Sequence, residues 1–122
     1  MNVVRIYSDQ SGETHFDDAE VELTLAGFAP PAPPLLLSEV MPATGCLFIS
    51  FPVGWVGEWH PSPRRQLFLF LAGEVEAEVG DGERRRVGAG SAVLLEDTSG
   101  KGHRSWTVGD VAALAVAVQF PD

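Results

Sequence analysis

The stretch GEVEAEVG, residues 73–80, alternates strictly, with Val75, Ala77 and Val79 on one side and Glu74, Glu76 and Glu78 on the other. Successive side chains of a strand point to opposite faces, so this pattern predicts one dry face and one wet face. The same period, or a short apolar run bounded by Gly, Pro or Asp, recurs from Cys46 onward: CLFISF, WVGEWH, QLFLFLAG, EVEAEVG, RRRVGAG, SAVLLED, HRSWTV and VAALAVAVQF. The last run is Ala-rich, but its three valines and its place after Gly109-Asp110 predict a strand rather than a helix. VGDGE predicts a hairpin, since Asp-Gly suits a two-residue primed turn. Nearer the N-terminus, VVRIY and EVELTL read as two strands around a polar loop, SDQSGETHFDD. No segment sustains a helical period, and no tandem repeat is present. Short strands at regular spacing predict an all-β sandwich or barrel.

Between these parts lies FAPPAPPLLLSEVMPA, residues 28–43, with five of the nine prolines. Proline has no amide donor and a fixed φ, so the segment is neither helix nor central strand. The reading is an extended strap packed along the body, with a polyproline ligand for another domain as the alternative. The Leu35-Leu36-Leu37 run must be buried, on the chain's own barrel or on a second subunit.

Composition narrows the partners. A chain of 122 residues is one domain's worth. No apolar run reaches the roughly 18 residues of a membrane span. MNVVRIYSDQ lacks the basic start and apolar core of a signal peptide, so the expected location is cytoplasmic. The formal charge is −9, and the first 40 residues hold one Arg and seven acids. That sign argues against nucleic acid and against anionic membranes. Arg84-Arg85-Arg86 is expected on a solvated strand face. The lone cysteine, Cys46, excludes an internal disulfide, and its apolar neighbours predict a buried, unreactive thiol.

The chemistry concentrates in two places. Gly54, His60, Ser62, Gln66 and Gly73 are spaced with five, one, three and six residues between them; a second run leads from Gly90 through Glu96 to His103 and Thr107. This spacing resembles the two motifs of the cupin superfamily, over roughly residues 45–120. HPSPRRQ and LLEDTSGKGHR also resemble small single-domain bacterial cupin proteins of undefined function. Glu96 stands where the second motif usually has proline, the loop before His103 is about two residues longer, and Thr107 replaces the final Asn. The resemblance implies a single cupin-type β-barrel or jelly roll over residues 45–122. Residues 1–44 would be an N-terminal arm and strap on that barrel, one compact domain overall.

In that family two histidines on one strand, a carboxylate on the next and a third histidine hold a metal, and open positions take substrate or dioxygen. Three imidazoles and a carboxylate suit Fe, Mn, Ni, Cu or Zn. Carried over residue by residue, His60 matches the first histidine, Ser62 the second, Gln66 the carboxylate and His103 the last. The implied metal residues are His60, Gln66 and His103, a set with two imidazoles and one neutral amide oxygen. It would hold a divalent ion (Zn, Ni, Fe or Mn) weakly. Glu58 lies two residues before His60, so a regular strand puts both on one face, where Glu58 could restore a carboxylate. His15 is a further spare ligand, from a swapped arm. Phe68 and Phe70 share the parity of Gln66 and, with Glu58 and Ser62, are expected to line the pocket. An inward Arg64 or Arg65 would favour a carboxylate or phosphate ligand.

Other chemistry is set aside. GAGSAVLL lacks the Lys-Ser or Lys-Thr of a phosphate loop, so no nucleotide cofactor is expected. Ser99 and Ser105 lack a nucleophile-elbow context. Three readings remain. The first is a small-molecule-binding cupin with a degenerate metal site. The second is a metal-dependent dioxygenase or isomerase, and the third a non-catalytic interaction module. A homodimer is expected, because VVRIY, the strap and Leu35–Leu37 give it material to exchange or bury.

Overall fold

The computed structural model describes all 122 residues as twelve strands and no helix. They are β1 (Asn2–Ser8), β2 (Thr14–Glu20), β3 (Thr24–Ala26), β4 (Leu35–Leu37), β5 (Gly45–Phe51), β6 (Val56–His60), β7 (Gln66–Ala72), β8 (Glu74–Glu78), β9 (Arg84–Gly88), β10 (Ala92–Glu96), β11 (His103–Thr107) and β12 (Ala113–Gln119). A six-stranded sheet, β2-β1-β10-β7-β12-β5, faces a four-stranded sheet, β6-β11-β8-β9. The result is an open jelly roll rather than a closed barrel, because no ladder joins the two sheets. β3 and β4 form a separate hairpin. No helix is long and apolar enough to cross a membrane.

The core lies between the two sheets. Ile6, Phe51, Phe70, Val93 and Leu95 from the large sheet meet Val75, Ala77 and Val87 from the small one. The alternation of β8 is realised, with Val75 and Ala77 buried between partly exposed glutamates. Those glutamates pair across the ladder with the arginines of β9: Arg84 Nε to Glu78 at 2.8 Å and Arg86 Nε to Glu76 at 3.0 Å. VAALAVAVQF is indeed a strand, β12, whose Ala113, Ala115 and Ala117 are fully buried. Small residues there leave room for the aromatics opposite.

Four expectations fail for physical reasons. The polar loop SDQSGETHFDD contains β2, paired with β1 over its whole length. Its dry face is only Thr14 and Phe16; much of its hold comes from charge, since Arg5 grips Asp17 with two nitrogens at 2.9 and 2.8 Å. That grip holds the Asp17 carboxyl below its ordinary pKa. EVELTL is not a strand of its own: Glu20 ends β2, and only Thr24 and Leu25 enter the short, exposed β3. The turn in VGDGE spans three residues: the Val79 amide donates to Glu83 O and the Gly82 amide to Val79 O, with Gly82 at φ +92°. A left-handed glycine closing a type I turn gives this longer loop. Cys46 is exposed. CLFISF is apolar on both faces, and period alone does not say which face is covered.

The strap is not an extended band along the body. It folds back as the β3–β4 hairpin, and Leu35 and Leu36 remain 53% and 61% exposed. β1, by contrast, is integral to the large sheet, pairing in parallel with β10 from Val4↔Val93 to Tyr7↔Glu96.

The tips of the β1–β2 and β8–β9 hairpins are tied together. The fully buried Thr14 hydroxyl accepts from the Gly80 amide at 2.7 Å and donates to Gly102 O at 2.6 Å. Beside it, His15 Nδ1 bonds Asp81 and Nε2 bonds Asp9, both at 2.7 Å. A ring with a carboxylate on each nitrogen is satisfied as an imidazolium. The Asp9 and Asp81 hydrogen bonds accordingly raise its pKa above 6.5.

Two predictions follow from these ties. Thr14→Val removes both hydroxyl bonds and leaves the Gly80 amide unpaired, for a loss of about 2–3 kcal/mol in urea unfolding. A raised folded-state pKa means that the contribution of His15 is complete below its unfolded value of about 6.5 and is lost as pH rises through the folded value. The melting-temperature gap between wild type and His15→Gln should therefore be wide at mildly acidic pH and narrow in alkaline buffer; a gap that widens with pH would contradict the imidazolium.

Candidate binding cavity between the sheets

The two sheets enclose a cavity of about 230 Å³. Most of its wall is apolar, including Ile49, Phe51, Trp55, Phe68 and Phe70. The polar side chains on it are His60, Ser62, Gln66, His103 and Ser105. Thus Ser62, Gln66, Phe68 and Phe70 lie on the wall together with the two histidines.

The register of β6 against β11 makes the polar corner. His103 lies directly opposite His60, so their rings share the inner face, with centroids 5.0 Å apart and planes 56° apart. Ser105 lies opposite Gly57, not Glu58, because the ladder slips between the two pairs. This bulge puts two residues of β6 opposite one of β11 and breaks the period-two parity. Gly57 and His60 therefore face inward, while Glu58 is exposed and not part of the cavity wall. Gly57 has its own reason: the Trp55 ring lies where a Cβ would stand. Trp55 closes that wall and meets Phe51 edge-on at 5.2 Å.

Each histidine has one nitrogen committed. His60, exposed at the rim, donates from Nδ1 to Pro61 O at 2.9 Å. The buried His103 donates from Nδ1 to Asp97 Oδ2 at 2.6 Å. Asp97 is fully buried, and its second oxygen, Oδ1, has no partner. Its backbone carbonyl accepts from the Ser62 amide at 2.9 Å, joining the two turns that carry the histidines. Both Nε2 atoms are left uncommitted. A carbonyl or carboxylate on Nδ1 fixes the tautomer in which Nε2 carries the lone pair. Gly102, at φ +77°, lets the loop before His103 press onto the His60 carbonyl, which a Cβ would overlap.

Ser62 and Gln66 are used otherwise. Ser62 Oγ donates to Arg64 O at 2.7 Å and accepts from Gln66 Nε2 at 3.1 Å. Gln66 Oε1 accepts from Gln119 at 3.4 Å. Together these bonds close the β6–β7 turn. Neither arginine of that turn lines the cavity. Arg65 bonds Glu96 at 2.6 Å and lies over Phe120. Burial alone would raise the Glu96 pKa, but Arg65 and Arg5 hold it below the ordinary value.

The donors do not fit the family's metal set of three imidazoles and a carboxylate. They amount to two Nε2 atoms, an amide oxygen already accepting a bond, and no carboxylate on the wall. Elsewhere Asp9, Glu13 and His15 bring ligand atoms within 4.8 Å of one another. There the His15 ring already bonds two carboxylates, which leaves it no lone pair to offer. Sequence reasoning missed Asp97, Trp55 and Ser105. The signal for Asp97 was an acid at the head of a turn-rich loop, six residues before the histidine.

The family model described as "Cupin domain" matches residues 47–119. No curated protein matches the sequence. Among solved structures, the cupin domain of Schizosaccharomyces pombe Cnp3 superposes with a TM-score of 0.55 at 11% identity, covering 99% of this chain and 88% of that one. A conserved protein of unknown function from Streptococcus pyogenes gives 0.50 at 23% identity, covering 70% of this chain and 71% of that one. At such identities these likenesses speak to the fold alone.

The Asp97 bond is testable without a ligand. In the wild type, nitrogen NMR of the imidazoles should find neutral His103 protonated on Nδ1 alone. In Asp97→Ala the two tautomers should mix, while His60 keeps its own.

Proposed function

This chain belongs to the cupin domain family, and on that footing we propose that it binds a small, neutral, mostly apolar organic molecule in the cavity between the sheets. His60 and His103 form the polar end and accept, through Nε2, a hydrogen bond from a hydroxyl of the ligand. One observation carries this reading: two imidazoles stand opposite one another on an apolar wall, each with Nδ1 already bonded. An anionic ligand is disfavoured, since no arginine or lysine lines the cavity. A pocket with a few convergent polar groups on apolar walls is the usual form of a small-molecule site.

Metal chemistry is the second reading, and the retained pair His60 and His103 is what favours it. Two imidazoles suit Zn or Ni and, less well, Fe or Mn. With no carboxylate on the wall, such an ion is held weakly. Stoichiometric metal in untagged protein, lost in His60→Ala, would move the assignment to a metal-dependent dioxygenase or isomerase. The expected outcome is metal that dialysis against chelator removes without changing the melting temperature.

Ligand binding is tested with cyclohexanol and its methyl ether by saturation-transfer NMR in the presence of chelator. Cyclohexanol should bind about tenfold better than the ether, the worth of one hydrogen bond. His103→Phe should abolish the difference. Equal binding would remove the role given to the histidines, and no binding of either would remove the pocket assignment.

A further inference from the structure

The polar surface of the cavity extends past the histidine corner. The alternate residues of β11, His103, Ser105 and Thr107, are all buried, on the side of the strand that faces the large sheet. Their polar atoms fare differently. His103 is oriented by Asp97, and Thr107 Oγ1 is shut away off the cavity wall. Ser105 is 7% exposed and lines the cavity, yet its hydroxyl bonds no protein group. Its partners across the two ladders, Gly57 on β6 and Ala77 on β8, carry no polar side-chain atom. An alanine would fill the same space without an unpaired hydroxyl. This hydroxyl therefore calls for a partner that the chain does not supply.

The wall contributed by the large sheet is aromatic. Phe51, Phe68 and Phe70 stand with ring centroids 6.0 to 6.3 Å apart, and Trp55 meets Phe51 edge-on. Such a cluster receives a flat ring by offset stacking and edge contacts. An apolar cavity of about 150 Å³ takes benzene, so the 230 Å³ here suits one ring with a few atoms added. The polar groups set where those atoms go. His103 and Ser105 are two residues apart on one face, about 6.6 Å along the strand. A six-membered ring with a polar group at each end covers that span.

Resting on the reading of this cavity as a small-molecule site, we propose that its ligand is a neutral hydroxyaryl ketone or aldehyde, a phenol whose carbonyl lies at the far end of the ring. The phenol hydroxyl donates to histidine Nε2, and Ser105 Oγ donates to the carbonyl oxygen. The direction of each bond follows from counting hydrogens. With Nδ1 of both rings already donating, each Nε2 only accepts, so the hydroxyl belongs at that end. At Ser105 a second ligand hydroxyl would bring one hydrogen too many, because Gly57 and Ala77 offer no further acceptor. A carbonyl oxygen accepts the serine hydrogen and leaves none unpaired. A primary amide would add N–H groups, and a carboxylic acid a charge, for which this wall has no partner. Ser105 is then the residue that tells a carbonyl from an alkyl group.

The test is NMR titration of the full chain, with chelator present, using para-hydroxyacetophenone and para-ethylphenol, which differ in the carbonyl. Ser105→Ala should weaken para-hydroxyacetophenone about tenfold, the worth of one hydrogen bond, and leave para-ethylphenol unchanged. The carbonyl carbon resonance of bound para-hydroxyacetophenone should lie downfield in the wild type and move upfield in Ser105→Ala. Without ligand, the melting temperature of Ser105→Ala should equal or exceed that of the wild type, since the lost hydroxyl held nothing in the protein. A substitution that weakens both phenols alike, or neither, overturns the proposal. So does a lowered melting temperature with an unmoved carbonyl resonance, which would make Ser105 structural. If cyclohexanol binds and neither phenol does, the ligand class falls while the reading of the cavity stands. If cyclohexanol fails as well, both fall.

Discussion

The structure turns on one strand that is apolar on both faces. β7 occupies an interior position of the large sheet, between β10 and β12, and alternates Gln66, Phe68 and Phe70 inward with Leu67, Leu69 and Leu71 outward. A strand bonded on both sides gains nothing from twisting an apolar face to water, so both faces ask for cover. The inner one is covered by the four-stranded sheet, at a distance that leaves a cavity because aromatics on one side meet Ala77 and Val75 on the other. Phe51, Phe68 and Phe70 lie within 6.3 Å of one another, centroid to centroid. The outer face receives only the flank of the strap hairpin. The cavity and the exposed apolar face are the two sides of one sheet.

The polar corner follows from a register slip on the opposite sheet. Had β6 kept its period, Glu58 would share a face with His60, and a carboxylate would stand beside two imidazoles. The bulge opposite Arg104 removes it. What carboxylate the site does have is one step back, in Asp97, bonded to His103 and shut from solvent. That arrangement orients an imidazole and fixes its tautomer without adding a ligand to the wall. The pocket is therefore chemically simpler than its family spacing implies. Two oriented lone pairs face an apolar space, which suits recognition of a hydroxyl better than tight capture of an ion.

How much of this was legible in the sequence depended on whether a period reported an environment. EVEAEVG and QLFLFLAG were readable, because large side chains at alternate positions leave one arrangement that buries them. The motif spacing located His60, Ser62, Gln66 and His103 on one wall, because spacing within strands and turns fixes place. It did not fix chemistry: Ser62 and Gln66 bond each other and the β6–β7 turn, which depends on Arg64 O and Gln119, residues no motif names. β2 was illegible since its hold is a bidentate Arg5–Asp17 pair rather than a dry face. Glu58 was misplaced because a bulge has no signature in WVGEWH. Cys46 was misplaced because period two is silent about which of two apolar faces is covered.

The N-terminal segment is part of the site even though the family match starts at residue 47. Besides the Asp97 bond and the β6 ladder, His103 is positioned by the loop 98–102 that leads into it, and that loop is held from the other end of the chain. Ser8 Oγ donates to Ser99 O at 3.0 Å, and the Thr14 hydroxyl donates to Gly102 O, one residue before the histidine. Gly12 and Gly100 approach so closely that a Cβ on Gly100 would stand 2.5 Å from Gly12 O. Two extra residues in this loop, relative to the family spacing, would cost the precision of His103 if they were free. Here the β1–β2 hairpin supplies the missing constraint, and His15 locks that hairpin to the β8–β9 tip through Asp9 and Asp81. The departure from the family pattern at the second motif and the added strands before the first are thus two halves of one solution: a longer loop that stays ordered because a hairpin from the N-terminus has been laid against it.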